Sequence, residues 1–155
     1  LFPLSSVVFS FINTIFSIIA IFIIVILTGG KVYLTFLFIP LILFYLFLFS
    51  LGFGMILASI SVFFRDVTHL YNIFLTLIMY LTPIFYPENI IPKSYKSLIS
   101  LNPLLHYVKY FRKIVFEGVF PNITLNITCF VIGVVTLFIG VLVFKKKENE
   151  FVLYV

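Results

Sequence analysis

Apolar residues run along this chain in long blocks, and polar residues collect between them. Four blocks are unbroken, at about 7–28, 34–61, 70–86 and 123–144. The first carries no charge and ends at Gly29-Gly30-Lys31, a turn signal. The second is long enough to tilt, and the third is short. The fourth runs into Lys145, Lys146 and Lys147. A helix needs about 20 residues to cross hydrocarbon about 30 Å thick. Membrane strands need polar and apolar positions in alternation, which none of these blocks has. The pattern predicts an all-α integral membrane chain: about four transmembrane helices, with short re-entrant or interfacial helices between the third and fourth.

Between those last two blocks lies "SLNPLLHYVKYFRKIVFEG". Asn102 suits a helix N-cap, Pro103 suits the first helical position, and Gly118 suits a stop. His106, Lys109 and Lys113 share one face, while Tyr107, Tyr110, Phe111 and Ile114 lie away from it. This predicts a short amphipathic helix in the headgroup plane. A second short helix is expected from about Pro92 to Ser100.

Composition confirms the solvent. The 155 residues are 63% hydrophobic and 10% charged, with a mean hydropathy of +1.30. Soluble domains are roughly 45–50% apolar and about 25% charged. The lone cysteine, Cys129, rules out a disulfide framework and is expected to pack inertly. The net charge of +5 is modest, and the basic residues sit near block ends, which favours lipid headgroups over nucleic acid. No charged n-region or small-residue cleavage site precedes the first block, so no signal peptide is expected; the start is expected to be an internal point of a longer protein.

Candidate chemistry is sparse. No Asp, Glu, Lys, Arg or His falls in the middle of any block. Carriers that use an ion gradient place such groups there, so uphill work would be powered by a partner. "TGGKV" at 28–32 fails as a phosphate loop, because Val32 follows the lysine and Val25 stands where glycine is needed. His69 and His106 belong to different loops, no metal-ligand spacing occurs, and no serine stands by a histidine and an acid. Catalytic residues, metal sites and cofactors are therefore not expected, and the chain is not read as an enzyme. Asn122 and Asn126 match the glycosylation triplet, a weak signal at a span mouth.

Helix faces add detail. Ser50, Gly54 and Ala58 form one small-residue stripe, and Cys129, Gly133, Thr136 and Gly140 form another. Both fit intramolecular packing ahead of a dimer seam. Ser10, Asn13 and Ser17 line one face of the first block, and Asn72, Thr76 and Tyr80 line one face of the third. They are candidates for a solute pathway, and helix-to-helix hydrogen bonds would use the same groups.

Several ordered pieces together resemble a known family. "FFRDVTHLYNIFLTLIMYLTPIFYP", then "IP", then "LNPLLHYVKYFRKIVFEG", then an apolar block and "FKKKENEF" resemble the carboxy-terminal part of ABC-2 type permeases. Among these the polysaccharide and polyol-phosphate exporters, which move O-antigen, capsule or teichoic acid, are the most similar. The resemblance implies a chain without the interface helix and first two spans of a six-span permease. It implies a homodimer bound to ABC ATPase subunits in the cytoplasmic membrane, a lipid-linked glycan as substrate, and an external gate at 87–119.

The same resemblance bears on orientation. The Arg65 loop and the tail carry four Lys or Arg, and the opposite side carries six, so charge alone leans toward an external tail. The family orientation places Arg65, Asp66 and the tail at 145–155 in the cytoplasm, and four ordered motifs outweigh that margin. Phe2 and Pro3 would then face the ATPase, with Arg65 and Asp66 anchoring a cytoplasmic turn. Pro83 and Pro87 would turn the chain back into the outer leaflet, with Tyr86 at the interface. Lys109, Arg112 and Lys113, with Asn102 and Pro103, would belong to the external gate and meet headgroups or an anionic polymer. An ABC-2 exporter of small hydrophobic compounds and a non-transporting membrane scaffold are the alternatives.

Overall fold

The computed structural model describes residues 2–29, 32–62, 67–84 and 99–151, without the side chains of 2–4, 68 and 147–151. All of the regular elements among them are helices. The long ones are α1 (Phe2–Leu27), α2 (Ile39–Ser61) and α5 (Ile123–Phe151); the shorter ones are α3 (Val67–Leu81) and α4 (Pro103–Arg112). Three stretches are long and apolar enough to cross a membrane: Ser5–Leu27, Leu34–Ser61 and Ile123–Lys146. A shorter apolar helix, His69–Leu81, accompanies them.

Helix ends follow local chemistry. Helix α1 starts at Phe2, earlier than the apolar block. Pro3 permits this, because first-turn amides have no intrahelical partner and proline lacks only that donor. A 3₁₀ turn, Leu34–Phe38, leads into α2, whose first turn holds Pro40. The lysines after Phe144 end the hydrocarbon span but not the helix: α5 continues to Phe151, as lysine and glutamate are good helix formers.

The core forms where α2, α4 and α5 meet. Ile39, Ile42, Tyr45, Tyr107, Tyr110, Ile114 and Cys129 are buried together. Glycines bring α2 and α5 into backbone contact. A Cβ on Gly52 would fall on the Thr136–Leu137 peptide, and one on Gly140 would fall on the Gly52 carbonyl. At Gly133 a Cβ would stand 2.9 Å from the Tyr45 carbonyl oxygen. The Cys129–Gly133–Gly140 stripe therefore serves packing within the chain, as expected, but its opposite number on α2 is Gly52. The Ser50–Gly54–Ala58 stripe turns instead toward α1, with a Gly54 Cβ 3.3 Å from a Val7 methyl.

Helices α1 and α3 are attached more lightly. No described side chain of either is buried. Helix α1 touches the α2 arm through ring pairs, Phe11–Phe47 at 4.7 Å and Phe22–Phe36 at 5.6 Å between centroids.

Candidate functional site

A cleft of about 790 Å³ opens between the packed half and the two lighter helices. Ser6, Ser10 and Thr14 of α1 present one line of hydroxyls to it. Spaced four apart, they lie on one helix face. Ser50, Gly54 and Ala58 of α2 form a narrow-side-chain floor, flanked by Phe49 and Phe53. Tyr71, Phe74, Leu75 and Ile78 of α3 form the opposite wall, and Asn102, Pro103 and Leu104 close one end. The lining is mainly aliphatic and aromatic, with a minority of hydroxyl and amide groups.

The cleft's closed end is built by α4, which is fixed on its core side by hydroxyl bonds. Tyr107 Oη donates to the Cys129 carbonyl at 2.9 Å, and Thr35 Oγ1 donates to the Ile114 carbonyl at 2.8 Å. Nearby, Tyr45 Oη donates to Asn126 Oδ1 at 2.8 Å, which commits the Asn126 side chain to the helix pair. Tyr110 is fully buried, and its hydroxyl has no partner among the described residues. Burial first, then Tyr45 and Cys129, pushes the Tyr110 phenol up to about 12. Burial, with Cys129 second, likewise raises Tyr107. Both stay neutral at physiological pH; Tyr107 serves as a hydrogen-bond donor, and Tyr110 contributes its buried ring to the core.

After Arg112 the chain widens into a π turn, Lys113–Glu117, and stops at Gly118, which has φ +63°. A Cβ there would strike the Tyr33 ring, so both backbone and neighbour demand glycine.

On its other side α4 reaches the end of α3. Asn102 uses both ends of its amide: Oδ1 accepts from Leu104 N at 3.0 Å, capping α4, and Nδ2 donates to Thr82 Oγ1 at 2.7 Å. Thr82 passes its own proton to the Ile78 carbonyl at 2.7 Å. Arg112 Nη2 donates to the Ile84 carbonyl at 2.9 Å. Thr82 and Pro83 are the first buried residues past α3.

The residues singled out from sequence fall into three groups. Pro83, Asn102, Pro103 and Arg112, separated by up to 29 positions, meet at this corner, with Lys109 and Lys113 half-buried on the same α4 segment. The apolar face of that segment packs on α2 and α5, so Tyr107, Tyr110 and Ile114 meet protein rather than headgroups. Ser10 lines the cleft, whereas Asn13 and Ser17 lie beside that line, where the Ser17 hydroxyl donates to the Asn13 carbonyl at 2.9 Å. Asn72, Thr76 and Tyr80 are exposed on the α3 face turned away from the cleft. Arg65, Asp66, Tyr86 and Pro87 lie outside the described residues, as do the side chains of Phe2 and Pro3, which stand in the first turn of α1.

Sequence reasoning passed over Ser6, Thr14 and Thr82, and read Ser50 only as part of a packing stripe. The four-residue repeat of Ser6, Ser10 and Thr14 was the available signal for the first two. Among the described residues, no group of His, Cys, Asp and Glu comes together as metal ligands.

Comparison with known proteins bears on the same stretch. The family model described as ABC-2 type transporter matches residues 2–116. The chain is 27% identical over 104 residues to the O-antigen export system permease protein RfbA of Klebsiella pneumoniae, covering 67% of this chain and 40% of that one. It is 32% identical over 105 residues to the protein of the same name in Myxococcus xanthus, covering 66% and 40%. It is 31% identical over 101 residues to the polysialic acid transport protein KpsM of Escherichia coli, covering 64% and 39%. The matches thus span about 40% of the length of these curated relatives. With its long apolar helices and a family match over most of its length, this chain belongs to the ABC-2 type transporter family of membrane permeases.

Proposed function

We propose that this chain is the membrane-spanning permease part of an ATP-driven exporter. Its substrate on this reading is a lipid-linked polysaccharide or polyol phosphate, carried across the cytoplasmic membrane. The observation that carries the reading is the family match over residues 2–116, joined to relatives named for O-antigen export and polysialic acid transport. The cleft is consistent with it. Aromatic and hydroxyl groups hold a sugar chain through many weak contacts, and no charge fixes it in place.

Energy comes from an ABC ATPase subunit in this proposal, and two permease copies form the passage. The spans at 7–28, 34–61, 70–86 and 123–144 cross the bilayer, the segment 87–119 forms the external gate, and the tail at 145–155 lies in the cytoplasm. Phe2, Pro3, Arg65 and Asp66 face the ATPase, and Lys109, Arg112 and Lys113 meet headgroup or polymer phosphates. Ser10, Asn13, Ser17, Asn72, Thr76 and Tyr80 are the proposed pathway contacts. Those of α3 would be reached from a second copy rather than from this cleft.

The test is made in cells that carry this gene. Inactivating either the permease or the Walker lysine of its ATPase should strip the glycan from the cell surface. Lipid-linked glycan should then accumulate where an impermeant glycan-oxidising reagent cannot reach it. Unchanged surface glycan in both mutants would refute the proposal. The apolar majority of the cleft wall favours a second reading, export of a small hydrophobic compound. Loss of resistance to lipophilic compounds with intact surface glycan would select it.

A further inference from the structure

Helix α3 forms one wall of the cleft, and none of its described side chains is buried. Its carboxy-terminal end is nevertheless held, by side chains from an element that is itself bonded to the core. Asn102 reaches Thr82 at 2.7 Å, and Arg112 reaches the Ile84 carbonyl at 2.9 Å. Pro83 stands between the two contact points, lacking the backbone N–H that would extend the helix. On its far side α4 is bonded through Tyr107 and its following turn through Ile114.

We propose that Thr82, Asn102 and Arg112 are positioning residues that form a two-point latch, setting where the α3 wall stands relative to the α2–α5 pair and so the width of the cleft. The latch explains the residue type at 102. Aspartate caps a helix as well as asparagine does, but a carboxylate has no N–H to donate to Thr82. It could only accept the threonine proton, which now satisfies the Ile78 carbonyl. Asparagine is the side chain that caps α4 and holds α3 at the same time. Arg112, more exposed, adds a second bond that prevents rotation about the first.

The test uses the full-length permease in native membranes, with a cysteine replacing Leu75 on the cleft wall of α3. The rate at which N-ethylmaleimide modifies that cysteine is read against a control without it. Thr82→Val removes the hydroxyl and leaves the α4 cap in place; Asn102→Asp keeps the cap and removes the donor. Each should raise the labelling rate several-fold, with Thr82→Ser restoring the parent rate and Arg112→Lys giving a smaller rise. If Thr82→Val does not accumulate, Asn102→Asp decides. Labelling within twofold of the parent for Asn102→Asp, at parent protein level, overturns the latch. Surface glycan is measured in the same cells, since a transport role for the latch rests on the export reading. A labelling change in a parent that exports no glycan sinks that reading and leaves the latch standing.

Discussion

The α2–α4–α5 half and the α1–α3 half are both apolar, yet they solve different problems. In the first, glycines bring main chains together, the Tyr45 and Tyr107 hydroxyls find amide and carbonyl partners, and a cluster of side chains is sealed from solvent. In the second, large residues such as Phe9 and Phe16 stay two-thirds exposed, and polar groups bond back to their own helix. Hydrocarbon is as good a solvent for phenylalanine as protein is, so greasiness alone does not pull helices together. Close approach and hydrogen bonds do; the first half has both, and α3 is held by hydrogen bonds just past its carboxy-terminal end. The second half leaves many of its large apolar side chains uncovered by the rest of the chain.

The sharpest way to break this contrast is to add one methyl group at the α2–α5 contact and one where α2 faces α1. Gly140→Ala or Gly52→Ala forces a Cβ into the facing backbone, with no side chain able to yield. Such overpacking should reach or exceed the upper end of the usual ~1–3 kcal/mol, read as near-complete loss of protein from the membrane. Gly54→Ala meets only a Val7 methyl at 3.3 Å and should cost less than about 1 kcal/mol. Equal accumulation of all three variants would erase the distinction.

Gly118→Ala comes next. It imposes a left-handed residue, at about 1–2 kcal/mol, and adds a collision with Tyr33. Thermal unfolding of the purified permease should show the loss, and a parent-like transition would mean that the π turn relaxes freely. Tyr45→Phe removes the bond to Asn126 and should cost about 0.6 kcal/mol, the average for such bonds inside membranes. Phe16→Ala, at an α1 residue that is 65% exposed, should fall within about 0.5 kcal/mol of the parent in the same unfolding assay. A larger loss there would sharpen the comparison by showing that another chain covers the face.

Much of this was legible because bilayer thickness sets block length. The three long apolar helices, the Asn102 cap, Pro103 at the helix start and the Gly118 stop all follow from local rules, whereas the helix of the third block ends at Leu81, ahead of Pro83. The end of α5 did not, because lysines that leave hydrocarbon remain good helix formers. Which small residue on α2 meets α5 was also hidden. Gly52 and Gly54 are alike in sequence, and only the register of two helices far apart in the chain tells them apart. The same holds for the corner at Thr82. Each proline there announces a break in its own helix, but nothing local reveals that an amide 20 residues later closes on that hydroxyl.

Where Gly140 rests on Gly52, peptide unit meets peptide unit. Side chains can swing aside to let two rods slip lengthwise; peptide units have no such freedom. Any change of shape in this chain therefore carries α2 and α5 together as a single beam, and leaves movement to the helices hung upon it.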